Sequence, residues 1–276
     1  MDDRSLEVPA TERGGAVVPG SLAPRDDSSQ VRLRPDHIPS IERSKLMLRK
    51  RGVRPDATRT KTETPPRDPG AMSGLLTGVS FIAGVGGALA LADSPYPRPG
   101  SEPAEVRRYF TENSRSAQLS ATGQLISTAS LARFTVSVAR LAARSGQGSR
   151  GLRAAALAGG GLAAASLATS GLHTLALSGR WGKEDESAAK LARRGFVFGG
   201  PIHGVGFGVL TGALALAGLR TDELPRPVAI IGLVSAASGL LSPLYFLEEQ
   251  AGWFIPVGRF SGLLVRGISG VRLGRR

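Results

Sequence analysis

The stretch GGPIHGVGFGVLTG, residues 199–212, decides between two classes of fold. Glycine-rich runs form loops whose backbone N–H groups bind phosphate, and they also form helix faces on which a second helix packs closely. A P-loop ends in Gly-Lys followed by Ser or Thr, because the lysine neutralises the phosphate charge. Here the run is followed by Ala213 and Leu214, so the sequence favours the helix face.

Four of the six glycines in this stretch recur at every fourth position, which places them on one slowly drifting face of a helix. Small residues at that spacing let two membrane helices approach until their backbones touch. Similar glycine and alanine residues occupy 159–165, so we expect the two stretches to pack against each other. The predicted helix-packing residues are Gly200, Gly204, Gly208 and Gly212.

A second glycine-rich stretch, AGVGGALALAD at 83–93, has the beginning of a dinucleotide-binding fingerprint. Gly84 and Gly86 are in place, but the third glycine position holds Leu89, and the surroundings lack the charged βαβ pattern that the fingerprint needs. We therefore interpret these glycines as packing residues as well.

Four stretches contain no Asp, Glu, Lys or Arg over 21 to 26 residues: 69–92, 154–179, 195–219 and 227–247. About 20 helical residues cross the hydrocarbon core of a bilayer, which is about 30 Å thick. Helices of a soluble bundle would show a polar stripe at helical spacing, and these stretches show none.

Two weaker segments complete the pattern. Residues 117–141 contain Arg133 and Arg140, and residues 252–271 contain Arg259 and Arg266, but both segments are otherwise long and apolar. The sequence thus predicts an all-α, polytopic transmembrane bundle. Its expected spans lie near 73–92, 117–141, 154–178, 196–219, 227–247 and 252–271.

The first 71 residues differ sharply from the rest. They hold 14 of the 35 basic residues, 11 of the 22 acidic residues, 9 of the 18 prolines and no aromatic residue. Such a composition buries too little apolar surface to offset the entropy of ordering the chain. We therefore predict a disordered, basic, proline-rich tail over 1–71 and a membrane domain over 72–276.

The net charge of +13 suits either nucleic acid or an anionic membrane surface. The tail segment KLMLRKRGVR, 45–54, lacks the interleaved aromatic residues that stack on RNA bases. The lipid bilayer is therefore the expected partner, with anionic lipid contacts through the tail and no nucleic acid. The oligomeric state stays open, and a chain without cysteine forms no disulfide.

Six spans place both termini on the same side of the membrane. With the termini inside, the inner segments hold 12 basic residues and the outer connections hold 9, which matches the positive-inside rule. The Trp and Tyr residues all fall near the outer connections, where interfacial aromatic residues are expected. They are Trp181, Trp253, Tyr96, Tyr109 and Tyr245. We expect a cytoplasmic (inner) membrane protein with cytoplasmic termini.

Three segments resemble a bacterial multi-pass membrane family of unknown function. They are YPRPGSEPAEVRRYFTENSRSAQLSATGQLISTASLARFTVSVARLA, then ALAGLRTDELPRPVAIIGLVSAASGLLSPLYF, and the closing GLLVRGISGVRLGRR. In that family a short LPR-type turn separates two late spans, and the last span ends in a basic tail. The resemblance covers 72–276 and implies a six-helix inner-membrane protein. It supplies no reaction and no catalytic residues.

Ionisable residues within spans are the main functional candidates. Arg133 lies deeper than Arg140, and the favoured interpretation is that it extends towards the interface or serves the structure; the alternative is that it pairs with Asp222 or Glu223. Arg259 lies about 9 Å of helix rise below Trp253. The nearest acids in sequence are Glu248 and Glu249, so one of them is the predicted partner of Arg259. The alternative is that Arg259 also reaches the interface alone.

His173 and His203 are expected at depths that differ by about 3 Å. They could face each other as a proton-binding or metal-binding pair, but a metal would need a carboxylate from Asp93, Glu248 or Glu249. The favoured interpretation gives each histidine a separate structural hydrogen bond. We predict no metal and no cofactor.

No Ser-His-Asp order, H-E-x-x-H motif or pair of intramembrane carboxylates indicates catalysis, so the sequence predicts no catalytic residue and no enzyme. Two functions remain. The first is a structural, accessory or sensory membrane protein. The second is a small transporter or channel whose His and Arg residues line a path. A polar cavity that contains His203 and Arg133 favours the transporter, and tight glycine packing there favours the first.

Overall fold

The computed structural model describes residue 68 and residues 70–275, so the predicted tail lies almost entirely outside the described residues. Within the described part the fold is all-α and contains no strand, which confirms the predicted class. The helices are α1 (Ser73–Leu91), α2 (Pro103–Glu112), α3 (Ser114–Ala143), α4 (Ser149–Leu177), α5 (Asp185–Val197), α6 (His203–Arg220), α7 (Arg226–Leu241) and α8 (Phe254–Gly274).

Short helical turns connect several of these helices. A π-helical turn, Phe198–Ile202, joins α5 to α6, so that 36 residues from Asp185 to Arg220 form one continuous helix. There are also three 3₁₀ turns in the described part of the chain. Arg180–Gly182 follows α4, Ser242–Phe246 follows α7, and Glu249–Trp253 precedes α8.

Four helices are long and apolar enough to cross a membrane: Ser73–Leu91, Ser149–Leu177, Asp185–Arg220 and Arg226–Phe246. They contain most of the four charge-free stretches. Their outward faces are also apolar, as α1 illustrates, where Leu76 and Val79 are 50% and 54% exposed. A helix of a soluble bundle would carry polar residues on that face. The two arginine-containing segments lie in α3 and α8.

The long helices pack in a closed order. α3 lies between α1 and α4, α4 contacts α6, α6 contacts α7, α7 contacts α8, and α8 returns to α1. Leu131 and Phe134 of α3 and Leu210 and Leu214 of α6 are fully buried in the resulting core. Helix α8, one of the two arginine-containing segments, thereby closes the ring between α7 and α1.

Glycines permit the closest crossings in this ring. A Cβ atom added to Gly84 of α1 would lie 2.6 Å from the Cα atom of Gly123 in α3. A Cβ atom added to Gly208 of α6 would lie 2.8 Å from the carbonyl oxygen of Ala236 in α7. Gly84, which belongs to the incomplete dinucleotide fingerprint, is thus a packing residue.

The expected partner of the glycine row in α6 was wrong. Gly204, Gly208 and Gly212 all face α7, whereas the contact with α4 is made by Gly206, whose added Cβ would lie 2.6 Å from the backbone nitrogen of Ala163. Residues two positions apart lie about 200° apart around a helix, so Gly206 points away from the predicted row. Gly200 lies in the π turn, near Ile255 of α8.

Helices α2 and α5 pack together at the end of the bundle where α1 and α4 end and α3 begins; we call this pair the cap. Arg107 of α2 and Asp185 of α5 form an ion pair of 2.5 Å. Beneath it lies a separate apolar cluster that includes Val106, Phe110 and Ala188. Pro103 at the start of α2 and the acids in the first turn of α5 suit helix N-termini.

Candidate ligand-binding site

The two intramembrane histidines do not face each other. Nδ1 of His203 lies 2.9 Å from the carbonyl oxygen of Ala163 in α4, and Nδ1 of His173 lies 2.7 Å from that of Thr169 in its own helix. Ala163 and His173 are ten residues apart in α4, about 15 Å of helix rise. The expected depth difference of 3 Å was wrong because the helix containing His203 begins at Asp185, well before the predicted span.

Each histidine therefore bonds a backbone carbonyl, His203 in a fully buried position and His173 beside the ring of Phe198, at a centroid distance of 6.3 Å. Among residues 68 and 70–275 no group of three or more His, Cys, Asp or Glu side chains is placed to hold a metal ion. The geometry matches the separate structural bonds that the sequence favoured.

Arg133 lies on the exposed side of α3 and lines a surface groove with Met72 and Val79 of the α1 segment. It does not share a cavity with His203 in the described structure. Its pairing with Asp222 or Glu223, in the turn after α6, stays a prediction.

The predicted partner of Arg259 was wrong. Glu248 and Glu249 are exposed in the turn before α8, and neither forms an ion pair with Arg259. Instead the Arg259 side chain points into the bundle, where its Nη2 donates a hydrogen bond to the carbonyl oxygen of Gly199. Its guanidinium carbon lies 5.0 Å from the ring centroid of Phe81 in α1.

The π turn explains why a carbonyl is available to Arg259. The N–H of His203 bonds the carbonyls of Phe198 and Gly200 and passes over that of Gly199, which would be its acceptor in an α-helix. Pro201, inside the same turn, has no N–H to donate. The turn thus presents the Gly199 oxygen to α8, and π turns of this kind are frequent at functional sites.

A cavity of about 360 Å³ extends from Arg259 towards the cap. It follows α1 from Phe81 to Leu89, which is eight residues or about 12 Å of helix rise. Phe81 and Arg259 lie at its deep end, whereas Tyr96 and Tyr109 lie at its shallow end beside the cap. The volume falls within the usual range of small-molecule sites, about 300 to 1,000 Å³.

The lining of the cavity is mostly apolar, and Arg259 is the only charged residue among the described residues that line it. Nη2 of Arg259 is bonded to Gly199, but Nε is buried without a hydrogen-bond partner. The uncharged polar side chains along the walls are Ser116, Ser120, Gln124, Ser170 and Thr174. The cavity therefore combines one cation with hydroxyl and amide groups on an apolar surface.

A second buried arginine, Arg266, escaped the sequence analysis as a site. Its side chain is fully buried, its guanidinium carbon lies 3.5 Å from the ring centroid of Phe207, and Nη2 lies 3.3 Å from Oγ1 of Thr211. Nε and Nη1 have no partner. The available signal was its spacing of seven residues from Arg259, which places both arginines on one face of α8.

A second, much smaller void also borders Arg259. His203, Phe207, Arg259 and Leu263 line it, and its volume is about 10 Å³, close to the minimum that holds one water molecule. His203 is thus tightly packed. Comparisons of the chain with protein-family models, with curated proteins and with solved structures found no match.

Proposed function

We propose that the protein is a non-enzymatic integral membrane protein of structural, accessory or sensory type. It is a six-span bundle of the cytoplasmic membrane, its termini lie in the cytoplasm, and its basic tail contacts anionic lipid. The observation that carries this proposal is the set of four long helices whose outward faces are apolar, as solvation by lipid requires.

The contacts of His203 and the α6 glycines support the structural or sensory function over transport. His203 adjoins a void of about 10 Å³, and Gly206 and Gly208 bring α6 against α4 and α7 at backbone contact distance. Arg133 lies on the outer side of α3. A path that used both His203 and Arg133 would need a polar cavity between them, and this region is closely packed.

A small transporter or channel is the second candidate, and the cavity at Arg259 favours it. Helices interrupted by glycine or proline occur at the binding sites of transporters, and the π turn with Pro201 is an interruption of this kind. In this alternative Arg259 would line the path instead of Arg133 and His203.

Two measurements on the full chain test the proposal. We expect the protein to stay in the membrane pellet after an alkaline carbonate wash, because only integral proteins resist that treatment. In reconstituted vesicles we expect proton and chloride fluxes equal to those of protein-free vesicles. Release by carbonate would contradict the membrane location, and protein-dependent flux would favour the transporter.

A further inference from the structure

We propose that the cavity between Arg259 and the cap binds an amphiphilic anion, with Arg259 holding the anionic group at the deep end. This inference deepens the sensory form of the proposed function and rests on the proposed membrane location, where amphiphiles collect. The occupant is defined by two features, one negatively charged headgroup and one apolar chain.

The charge of the site specifies the headgroup. A guanidinium inside a membrane-spanning bundle is unfavourable unless a counter-charge or hydrogen bonds compensate it. The described lining of the cavity contains no acidic residue, so the chain itself supplies no counter-charge there. An anionic ligand would supply it.

The hydrogen bonds of Arg259 leave room for that ligand. An arginine side chain has five N–H donors in a planar fork, which suits two-point bonding to a carboxylate or a phosphate. One nitrogen, Nη2, bonds the Gly199 carbonyl and thereby fixes the orientation of the guanidinium, while Nε is buried without a partner. The neighbouring Phe81 ring also packs against the guanidinium of Arg259.

The rest of the cavity suits an apolar chain. Above Arg259 the walls include Val85, Ala88 and Leu89 of α1 and Leu167 of α4. The cavity ends at the rings of Tyr96, Tyr109 and Phe110, which contact one another with centroids 5.2 to 5.9 Å apart. A chain of about 12 Å would bury its apolar surface here, which is favourable at about 25 cal/mol per Å².

The headgroup could be the carboxylate of a free fatty acid or the phosphate of a lipid, since both carry negative charge and present two oxygens that can accept hydrogen bonds from a guanidinium. Chain-matched probes distinguish them. We would titrate the full-length protein, purified in a non-ionic detergent, with laurate, lauryl phosphate and lauryl alcohol, and count bound molecules by native mass spectrometry.

At least one of the two anions should bind ten times more tightly than lauryl alcohol or better, a difference that corresponds to about 1.4 kcal/mol. Binding of laurate alone would identify a carboxylate site, and binding of lauryl phosphate alone would identify a phosphate site. The variant Arg259→Gln should lose the preference for the anion. The matched control is Arg272→Gln, an exposed position on the same helix, which should retain it.

A second variant keeps the proposal testable if Arg259→Gln does not fold. Ser120→Phe would fill the cavity wall without touching Arg259 and should weaken binding of every probe. Equal affinity for laurate, lauryl phosphate and lauryl alcohol in the natural chain would overturn the proposal. Unchanged anion binding by both variants would overturn it too. Because binding is measured in detergent, failure here would leave the carbonate and flux results of the proposed function unaffected.

Discussion

Among single residues, Arg266 raises the sharpest energetic question. Its fully buried guanidinium has two nitrogens without hydrogen-bond partners, and the bonds of Nη2 to the Phe207 carbonyl oxygen and to Oγ1 of Thr211 are long, at 3.4 and 3.3 Å. Replacing a poorly compensated buried charge by an apolar side chain of similar length is often neutral or stabilising. We expect Arg266→Met to maintain or raise the thermal unfolding midpoint in detergent.

The comparison variant is Arg266→Ala, which removes the charge and also leaves a void beside Phe207 and Thr211. We expect that variant to destabilise the protein by about 2 to 5 kcal/mol, the usual loss for truncating a large buried side chain. Equal destabilisation by the methionine and alanine variants would show that the charge itself is required, which would make Arg266 a functional residue.

The sequence identified Arg259 and His203 as important buried groups but assigned Arg259 the wrong partner. Both residues bond backbone carbonyls, those of Gly199 and Ala163, and a carbonyl has no signature in the sequence. Glu248 and Glu249 were predicted as partners of Arg259 because they are the acids nearest to it in the sequence, but nearness in the sequence does not give nearness in space. The π turn that presents Gly199 contains Pro201, whose lack of an N–H could have been anticipated to interrupt regular helical hydrogen bonding.

Among the helices, the contact between α6 and α7 depends most directly on glycine. An added Cβ at Gly208 would lie 2.8 Å from a backbone oxygen and 3.2 Å from Cα of Gly239. A backbone atom cannot move aside as a flexible side chain can, so Gly208→Leu should force the two helices apart. We expect the midpoint of thermal unfolding in detergent to fall and the purified protein to be no longer monodisperse.

Gly161 provides the matched control for this substitution. It also lies within a long apolar helix, but an added Cβ there would meet nothing within 4 Å. Gly161→Leu should leave stability unchanged or raise it slightly, because glycine is about 1 kcal/mol less favourable than alanine in a helix interior. If both leucine variants unfold at the same temperature, close glycine packing does not hold α6 against α7.

The glycine spacing correctly predicted that α6 has a face for close helix packing, but it could not predict which helix packs there. Helix α6 carries Gly204, Gly208 and Gly212 on one side and Gly206 on the other, so small residues permit close approach on both. Which neighbour occupies each side depends on loop lengths and on the order of all the helices. The residue pattern of a single helix contains no information on either the loop lengths or the order of the helices.

The cap shows which interaction dominates between α2 and α5. The Arg107–Asp185 ion pair is about half exposed, and surface pairs of this kind contribute about 0 to 1 kcal/mol. Phe110 is only 1% exposed in the apolar cluster below. We expect Arg107→Gln to shift the unfolding midpoint very little and Phe110→Ala to destabilise by about 3 to 5 kcal/mol. The reverse order would mean that the ion pair holds the cap.

At the scale of the whole molecule, charge-free length was enough to predict the long apolar helices. It did not predict that α8 closes the ring against α1, because the composition of a helix does not determine which neighbours it packs against. It did not predict the cavity either. That space is bounded by residues of α1, α3, α4 and α8, which lie far apart in the sequence.

The alternation of long helices leads to a prediction about topology. The connection between α3 and α4 lies at one end of the bundle, and the connections from α4 to α5 and from α7 to α8 lie at the other. The chain contains no cysteine, so single cysteines can be introduced without background. Suitable exposed positions are Gln147 in the first connection and Lys183 and Gln250 in the other two.

We expect a membrane-impermeant maleimide to label Lys183→Cys and Gln250→Cys in intact bacterial cells. Gln147→Cys should react only after the membrane is permeabilised, because the arginines that flank it, Arg144 and Arg150, favour the cytoplasmic side. If only Gln147→Cys were labelled in intact cells, the orientation in the membrane would be the reverse of the predicted one, and the six-span arrangement would still stand. Labelling of Gln147→Cys and Lys183→Cys together in intact cells would mean that α4 does not cross the membrane, which would contradict the six-span arrangement itself.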